Sequence, residues 1–176
     1  IFNYEAPSEG GDEGGDEGGE EGGDEGEVSV LYTLDATDAA NNGKDNSYAG
    51  SEDITINGIT WNVTGNTTIN PWRIGGKKLN AVDREVFTKT PYEKALTKIV
   101  VTLGTKNITL NSCKLLYSAN ADFSGATEVP FEYAEGAIEL ANSYPANCYY
   151  KLVFNCTETS GKNMYVQLSK IEFYGK

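Results

Sequence analysis

Apolar residues in this chain recur at every second position, and no segment keeps the 3.6-residue period of an amphipathic helix over three turns. The clearest case flanks Asn57-Gly58, a dipeptide that supplies the two positive-φ residues of a two-residue hairpin turn. Such a turn sets the register of the flanking strands and places Ile54 opposite Trp61, with the apolar side chains of both strands on one face. Trp61 is therefore predicted to lie in the buried face of a hairpin and not on a ligand platform.

Further runs alternate in the same way at residues 99–103, 113–117, 148–156 and 164–173. In the last run the apolar positions change from even to odd numbers, which predicts a β-bulge or a strand break around Ser169-Lys170. Many short strands separated by turn-rich stretches predict an all-β fold, an antiparallel β-sandwich or jelly roll. The turn-rich stretches are residues 41–50, 64–71, 118–126, 142–147 and 157–163.

The charge of the chain is concentrated at its N-terminus. Residues 1–27 hold 11 of the 26 acids and no Lys or Arg, so residues 28–176 carry 15 acids against 14 bases, a net charge of −1. A repeat of Gly-Gly followed by two acids fills residues 10–25 and has no apolar surface to bury. Residues 1–27 are predicted to be a flexible acidic tether, and residues 28–176 a single domain. The repeat lacks the spacing of a calcium loop, so no metal site is predicted in it.

Composition excludes several classes of function. The chain has no His, which excludes Ser-His-Asp triads and His-ligated zinc. The nearly neutral domain has no basic excess, so nucleic acid is not an expected partner. No apolar run reaches the roughly 18–20 residues of a membrane span. Ile1 is the first residue and Met164 the only Met, which indicates a processed N-terminus and, weakly, export.

The three cysteines leave two interpretations open. Cys148 and Cys156 fall on one predicted strand, too far apart to bond to each other while that strand is straight. Either all three are buried thiols, or Cys113 forms a disulfide with one of the other two. Catalysis by a thiolate is not expected without a His to activate it.

The segment 71–80 has the most unusual composition, because it combines an indole, a guanidinium, two glycines and two amines. The spacing of a phosphate-binding loop is absent. An indole stacks on the apolar face of a sugar ring while cations and amides hydrogen-bond its hydroxyls. In the alternative interpretation Trp72 packs at the end of the sandwich and Arg73 pairs with an acid such as Asp83. The candidate ligand-binding residues are Trp72, Arg73, Lys77 and Asn80.

An enzyme is not expected. Glycoside hydrolysis needs two opposed carboxylates, one with a raised pKa, and no acid of the domain lies in a recognisable apolar context. The run Asp83-Arg84-Glu85 is interpreted as a surface ion cluster and not as a catalytic pair. No catalytic residue, cofactor or metal is predicted.

The second half of the chain carries a resemblance to a known family. Its motifs are Thr-Lys-Ile-Val-Val-Thr at 97–102, Lys-Leu-Leu-Tyr-Ser at 114–118 followed by Asn-Ala-Asp-Phe at 120–123, Cys-Tyr-Tyr-Lys-Leu-Val at 148–153, and Val-Gln-Leu-Ser-Lys-Ile-Glu-Phe-Tyr-Gly at 166–175. With these motifs the chain resembles the galactose-binding-like (discoidin, or F5/8 type C-like) jelly-roll superfamily. The resemblance implies a non-catalytic carbohydrate-binding or adhesion module.

The acidic segment resembles the tether of a bacterial surface lipoprotein whose lipidated Cys lies upstream of Ile1. The resemblance thus implies an extracellular or outer-membrane-anchored location. In many family members a Glu just before the Ile of the closing strand helps to hold a structural calcium. Here that position is Lys170, a cation that repels the ion, so the calcium site is not carried over.

Two functions are expected to compete. The first is a surface module that binds glycan through an exposed loop face. The second is a structural or adhesive module that contacts other proteins, has no sugar site and carries an apolar surface patch near residues 72–92. Solvent exposure of Trp72 discriminates between them, because a buried indole removes the stacking argument.

Overall fold

The computed structural model describes residues 26–48 and 50–176, so the repeat predicted to be a tether lies outside the described residues. They form two antiparallel sheets packed face to face, and the predicted all-β sandwich is confirmed. One short 3₁₀ turn, Ala39–Asn41, is the only helical element in the described part of the chain. The strands are β1 (Ser29–Asp35), β2 (Ser51–Ile56), β3 (Ile59–Thr64), β4 (Trp72–Gly76), β5 (Leu79–Thr88), β6 (Leu96–Lys106), β7 (Thr109–Ser118), β8 (Thr127–Phe131), β9 (Gly136–Tyr144), β10 (Tyr149–Glu158) and β11 (Met164–Gly175).

The first sheet has the order β1-β11-β6-β9, and the second has the order β2-β3-β5-β10-β7-β8. β4 also belongs to the first sheet, because it pairs with the first half of β11 while β1 pairs with the second half. The apolar faces of the two sheets enclose one continuous core. Because the central strands pair with partners distant in sequence, the ends of the sandwich bring together loops from all parts of the chain.

The predicted hairpin is confirmed. Asn57 and Gly58 form its turn with φ values of 48° and 83°, and Ile54 lies opposite Trp61. Trp61 is 1% exposed, and its indole N–H donates to the Tyr32 hydroxyl at 2.7 Å. Tyr32 in turn donates to the carbonyl of Ile56 at 3.0 Å. Since Tyr32 lies on β1, this pair of hydrogen bonds links the two sheets through the core.

The two long C-terminal strands also follow the alternation in the sequence. Along β10 the predicted inward set is buried, with Phe154 and Cys156 at 0% exposure. β11 is continuous, but its pairing with β6 shifts register on either side of Leu168. Its partner on the other edge changes there too, from β4 to β1. The irregularity predicted around Ser169-Lys170 is therefore present as a bulge, and not as a strand break.

The cysteines are three buried, free thiols. Burial is the main cause that raises the pKa of Cys113 to about 11 and that of Cys156 to about 12. The interpretation of three buried thiols is confirmed, and the alternative of a disulfide at Cys113 is wrong.

Candidate functional site: a polar pocket at one end of the sandwich

Trp72 is the first of the predicted ligand-binding residues, and the structure corrects its placement. Trp72 lies in a strand, β4, in which Trp72 and Ile74 face the core at 0% exposure, as in the alternative interpretation that packs Trp72 in the sandwich. The indole therefore has no face to offer to a sugar ring. The reason is the two-residue period of a strand, which turns position 72 inward together with position 74.

Close backbone approach explains why this Gly-rich segment forms a strand. β4 pairs with β11, and Gly75 lies opposite Tyr165. A Cβ at Gly75 would overlap the backbone oxygen of Met164, so this position admits only glycine without a shift of the strands. Backbone pairing also fixes the start of β4, because Arg73 and Asn66 exchange two backbone hydrogen bonds of 2.8 and 3.0 Å.

Arg73 lies on the outer face of β4. Its guanidinium carbon is 4.2 Å from the centroid of the Tyr165 ring, a cation–π contact. It makes no ion pair with Asp83 within the described residues, so the alternative partner considered from the sequence is wrong. The carboxylate of Asp83 instead accepts from the side-chain amide of Asn155 at 2.6 Å.

Lys77 is the one predicted residue that lines a cavity. It lies with Lys78 in the two-residue connection that carries the chain from β4 in the first sheet to β5 in the second. Lys78 has a φ of 54°, which allows this tight crossing. Asn80 is exposed on β5 and does not line the cavity. Of the four candidate ligand-binding residues, Lys77 alone lines the pocket.

The pocket has a volume of about 420 Å³ and lies at the end of the sandwich where β4 meets β5. This volume is in the range of about 300–1,000 Å³ that is usual for small-ligand sites. Three loops meet there, and none of the lining residues is an acid. The lining residues are Asn46, Ser47, Tyr48, Lys77, Arg84 and Asn163.

Arg84 is on the core-facing side of β5. It lies opposite Phe154 in the β5–β10 pair, and residues opposite each other share a face of the sheet. Two residues further along, Val86 is fully buried on the same face, whereas Arg84 is half-buried at the mouth of the sandwich. Its Nε atom is buried and has no hydrogen-bond partner in the described part of the chain.

A carboxylate on β2 holds the loop that forms one wall of the pocket. Glu52 accepts hydrogen bonds from the backbone N–H groups of Lys44 and Asp45 and, at 2.8 Å, from the hydroxyl of Thr67. Burial acts to raise the pKa of Glu52, but these hydrogen bonds outweigh it, and the pKa lies below its ordinary value. Since Thr67 is fully buried, the loop is anchored to the body of the sandwich.

Asn66 strengthens the same anchor. It is 4% exposed, its Nδ2 donates to Oδ1 of Asn46 at 3.0 Å, and its own Oδ1 accepts from the backbone and hydroxyl of Thr68. Both halves of the Asn66 amide are thus engaged inside the protein. Of the four N-x-Ser/Thr sequons, the one that begins at Asn66 is therefore inaccessible to glycosylation in the folded chain.

Tyr48 supplies the aromatic ring of the pocket. Burial raises the pKa of its hydroxyl, and the nearby Arg73 guanidinium, which interacts with that hydroxyl, opposes the rise. Arg73 thus contacts Tyr165 and reaches Tyr48. Arg73 does not line the pocket itself, but it interacts with the hydroxyl of Tyr48, which does.

Sequence reasoning missed five residues of this site, namely Asn46, Ser47, Tyr48, Arg84 and Asn163. The sequence pattern does indicate that Arg84 faces the core, because Arg84 shares the even-numbered positions of Val86 and Thr88 in an alternating run. The other four are polar or aromatic residues in turn-rich stretches, and only the folded topology brings them together.

Lys170, the residue before Ile171 in β11, is a cation with acidic neighbours. The Lys170 ammonium lies 4.0 Å from the carboxylate of Glu172. The pKa of Asp35 is lowered mainly by a hydrogen bond from the Thr37 side chain and in part by the charge of Lys170. Glu172 and Asp35 thus both interact with the charge of Lys170.

The chain matches no protein-family model and no curated protein. Among residues 26–48 and 50–176, no group of three or more Cys, Asp or Glu side chains is arranged to hold a metal ion. In the same ranges there is no helix with the length and apolar character needed to cross a bilayer.

Proposed function

We propose that this chain is a non-catalytic carbohydrate-binding module of the galactose-binding-like kind, carried at the cell surface on its acidic N-terminal segment. The polar pocket at the end of the sandwich is the observation that carries the proposal. Its ligand is a saccharide, recognised by Tyr48 together with Asn46, Lys77, Arg84 and Asn163. The surface location and a lipid anchor upstream of Ile1 belong to the same proposal.

The chemistry of the pocket suits a sugar. A saccharide presents many hydroxyls, each of which donates and accepts hydrogen bonds, together with weakly apolar ring faces. The amides of Asn46 and Asn163 provide both donors and acceptors, and the two cations provide donors. Tyr48 provides a flat ring for stacking. Tyr48, and not Trp72, is therefore the residue that we propose to stack on the sugar ring.

The pocket wall is organised before any ligand arrives. Hydrogen bonds to Glu52 and Thr67 hold the loop that carries Asn46 and Tyr48. Each side chain or loop residue that has to be ordered on binding reduces affinity by about 0.5–1.5 kcal/mol. A loop that is already ordered avoids most of this cost, which favours measurable affinity for a small ligand.

A glycan array probed with the full chain tests the proposal. We expect at least one class of saccharide to be retained, and Tyr48→Ala to weaken its binding at least tenfold, because the stacking ring is lost. Asn80→Ala is the matched control, since Asn80 is exposed near the same turn but does not line the pocket. Failure of the array to retain any saccharide, or full affinity in Tyr48→Ala, would exclude this site.

A structural or adhesive module is the second candidate, and the burial of Trp72 favours it. That hypothesis expects an apolar patch near residues 72–92. Within this range of the described structure, Val82 is the one large apolar side chain that is exposed, at 39%. Analytical ultracentrifugation of the full chain checks it. Self-association without saccharide binding would support this candidate against the first.

A further inference from the structure

We infer that the pocket selects acidic saccharides, in which a carboxylate or sulfate group is bound by Arg84 and Lys77. This inference rests on the proposed function and names the class of sugar. It is carried by the charges around the pocket and by the lack of a carboxylate or aromatic partner for Arg84 among the described residues, whereas Arg73, whose Nε is also unpaired, stacks on an aromatic ring.

Arg84 differs from the other half-buried cations in the described ranges. Four lysines with similar burial each lie within 4.0 Å of a carboxylate, and the half-buried Arg73 stacks on an aromatic ring. Arg84 has neither kind of partner in the part of the chain that the structure describes. The four lysines are Lys98, Lys114, Lys151 and Lys170.

The acids next to Arg84 in sequence do not neutralise it. Asp83 and Glu85 project from the opposite face of β5, because neighbouring residues of a strand alternate. Asp83 accepts from Asn155 at 2.6 Å, and Glu85 pairs with Lys151 at 3.2 Å. No acid lines the pocket, and Lys77 also has no carboxylate within 4.0 Å among the described residues. The pocket is therefore a locally cationic site in a chain of net charge −12.

The two cations have complementary roles toward an anion. The planar guanidinium of Arg84 lines the pocket and can form paired hydrogen bonds with the two oxygens of a carboxylate or sulfate. Lys77 is exposed on a two-residue turn and acts as a mobile point charge. Asn163 and the Nδ2 donors of Asn46, whose Oδ1 accepts from Asn66, can bind the hydroxyls of the same sugar.

This arrangement predicts a measurable preference. A saccharide with one anionic group should bind at least tenfold more tightly than its neutral counterpart, a factor that corresponds to about 1.4 kcal/mol. The preference should fall as salt rises, since exposed charges are screened over about 10 Å at 0.1 M and about 3 Å at 1 M ionic strength. Binding of neutral sugars should change little with salt.

The test uses the full chain on an array of matched pairs, followed by calorimetry of the retained pairs. One arm compares oligogalacturonate with its carboxyl-reduced neutral form, and the other compares sulfated galactan with its desulfated parent. Arg84→Gln should lower binding of the acidic member at least tenfold and bring it to the level of the neutral member. Lys77→Gln, on an exposed turn that tolerates substitution, should lower it at least threefold. Lys78→Gln is the matched control, because Lys78 is adjacent and exposed but does not line the pocket.

The outcomes separate this inference from the proposed function. Equal binding of acidic and neutral members overturns the acidic preference and leaves carbohydrate binding in place. Absence of binding to every saccharide overturns both. Preference in one arm alone supports the inference and identifies the anionic group as carboxylate or as sulfate. Unchanged acidic binding in both Arg84→Gln and Lys77→Gln overturns the assignment to these cations.

Discussion

Two buried tyrosines provide a sharp test of the packing, because both rings contact Phe173 but their hydroxyls differ. Tyr32 accepts from Trp61 at 2.7 Å and donates to the carbonyl of Ile56 at 3.0 Å. The hydroxyl of Tyr150 is buried without any hydrogen-bond partner among the described residues. The two ring centroids lie 5.3 and 5.0 Å from that of Phe173. Substitution by Phe keeps each ring and removes only the hydroxyl.

The two substitutions are expected to change the free energy of unfolding differently, with a clear loss for Tyr32→Phe and none for Tyr150→Phe. Tyr32→Phe removes two hydrogen bonds and leaves the N–H of Trp61, which is 1% exposed, without an acceptor. An orphaned buried donor costs about 1–3 kcal/mol and each lost hydrogen bond about 0.5–1.5 kcal/mol, so we expect a loss of roughly 2–4 kcal/mol. Tyr150→Phe removes a polar group that is already unsatisfied, and we expect no loss, or a gain of up to about 2 kcal/mol.

Urea denaturation of the full chain, followed by tryptophan fluorescence and circular dichroism, measures both free energies of unfolding. Equal m-values are needed for the comparison, because a changed m-value signals a changed denatured state or a loss of two-state behaviour. A loss below about 0.5 kcal/mol in Tyr32→Phe would refute the reasoning about linked hydrogen bonds. Comparable losses in both variants would show that the rings, and not the hydroxyls, determine the effect.

Two further predictions concern the pocket. The pKa of Glu52 in the folded state lies below its ordinary 4.5, so its contribution to stability is present above pH 4.5 and is lost as pH falls through the folded pKa. The melting temperatures of wild type and Glu52→Gln should therefore differ at pH 7 and converge progressively below pH 4.5. A difference that stays constant with pH would contradict this. Arg84→Met should unfold at the same or a higher urea concentration than wild type, because an apolar side chain of similar length replaces an unpaired, half-buried cation. A decrease in the free energy of unfolding of more than about 2 kcal/mol would show that Arg84 stabilises the fold.

The sequence predicted those parts of the fold that depend on local chemistry. Asn57-Gly58 set the hairpin register, because this dipeptide favours one turn type strongly. The change of parity in the last run predicted the bulge near Ser169, because an inserted residue is needed to keep both halves facing the same core. These features need no knowledge of distant partners.

The parts that the sequence did not predict depend on non-local pairing. β4 is five residues long and ends in two glycines, which have low strand propensity, and it becomes a strand only by pairing with β11. The sequence therefore leaves Trp72 open between an exposed loop face and the end of the sandwich, although its alternation with Ile74 indicates a buried position. The pocket was hidden for the same reason, since Asn46 and Asn163 are brought together only by the order of the strands.

Unsatisfied donors in this structure have two different consequences. The indole N–H of Trp72 and the Nε of Arg84 both lack a hydrogen-bond partner in the described residues. Trp72 is 0% exposed, so no ligand reaches its N–H, and the missing partner only lowers stability. The guanidinium of Arg84 lines a cavity of about 420 Å³, which a solute can enter. Because part of the cost of removing this cation from water is already incurred in the free protein, an anionic group that enters the pocket gains hydrogen bonds with a smaller desolvation penalty. The same kind of deficit lowers stability at Trp72 and, at Arg84, would favour the anionic ligand that we propose.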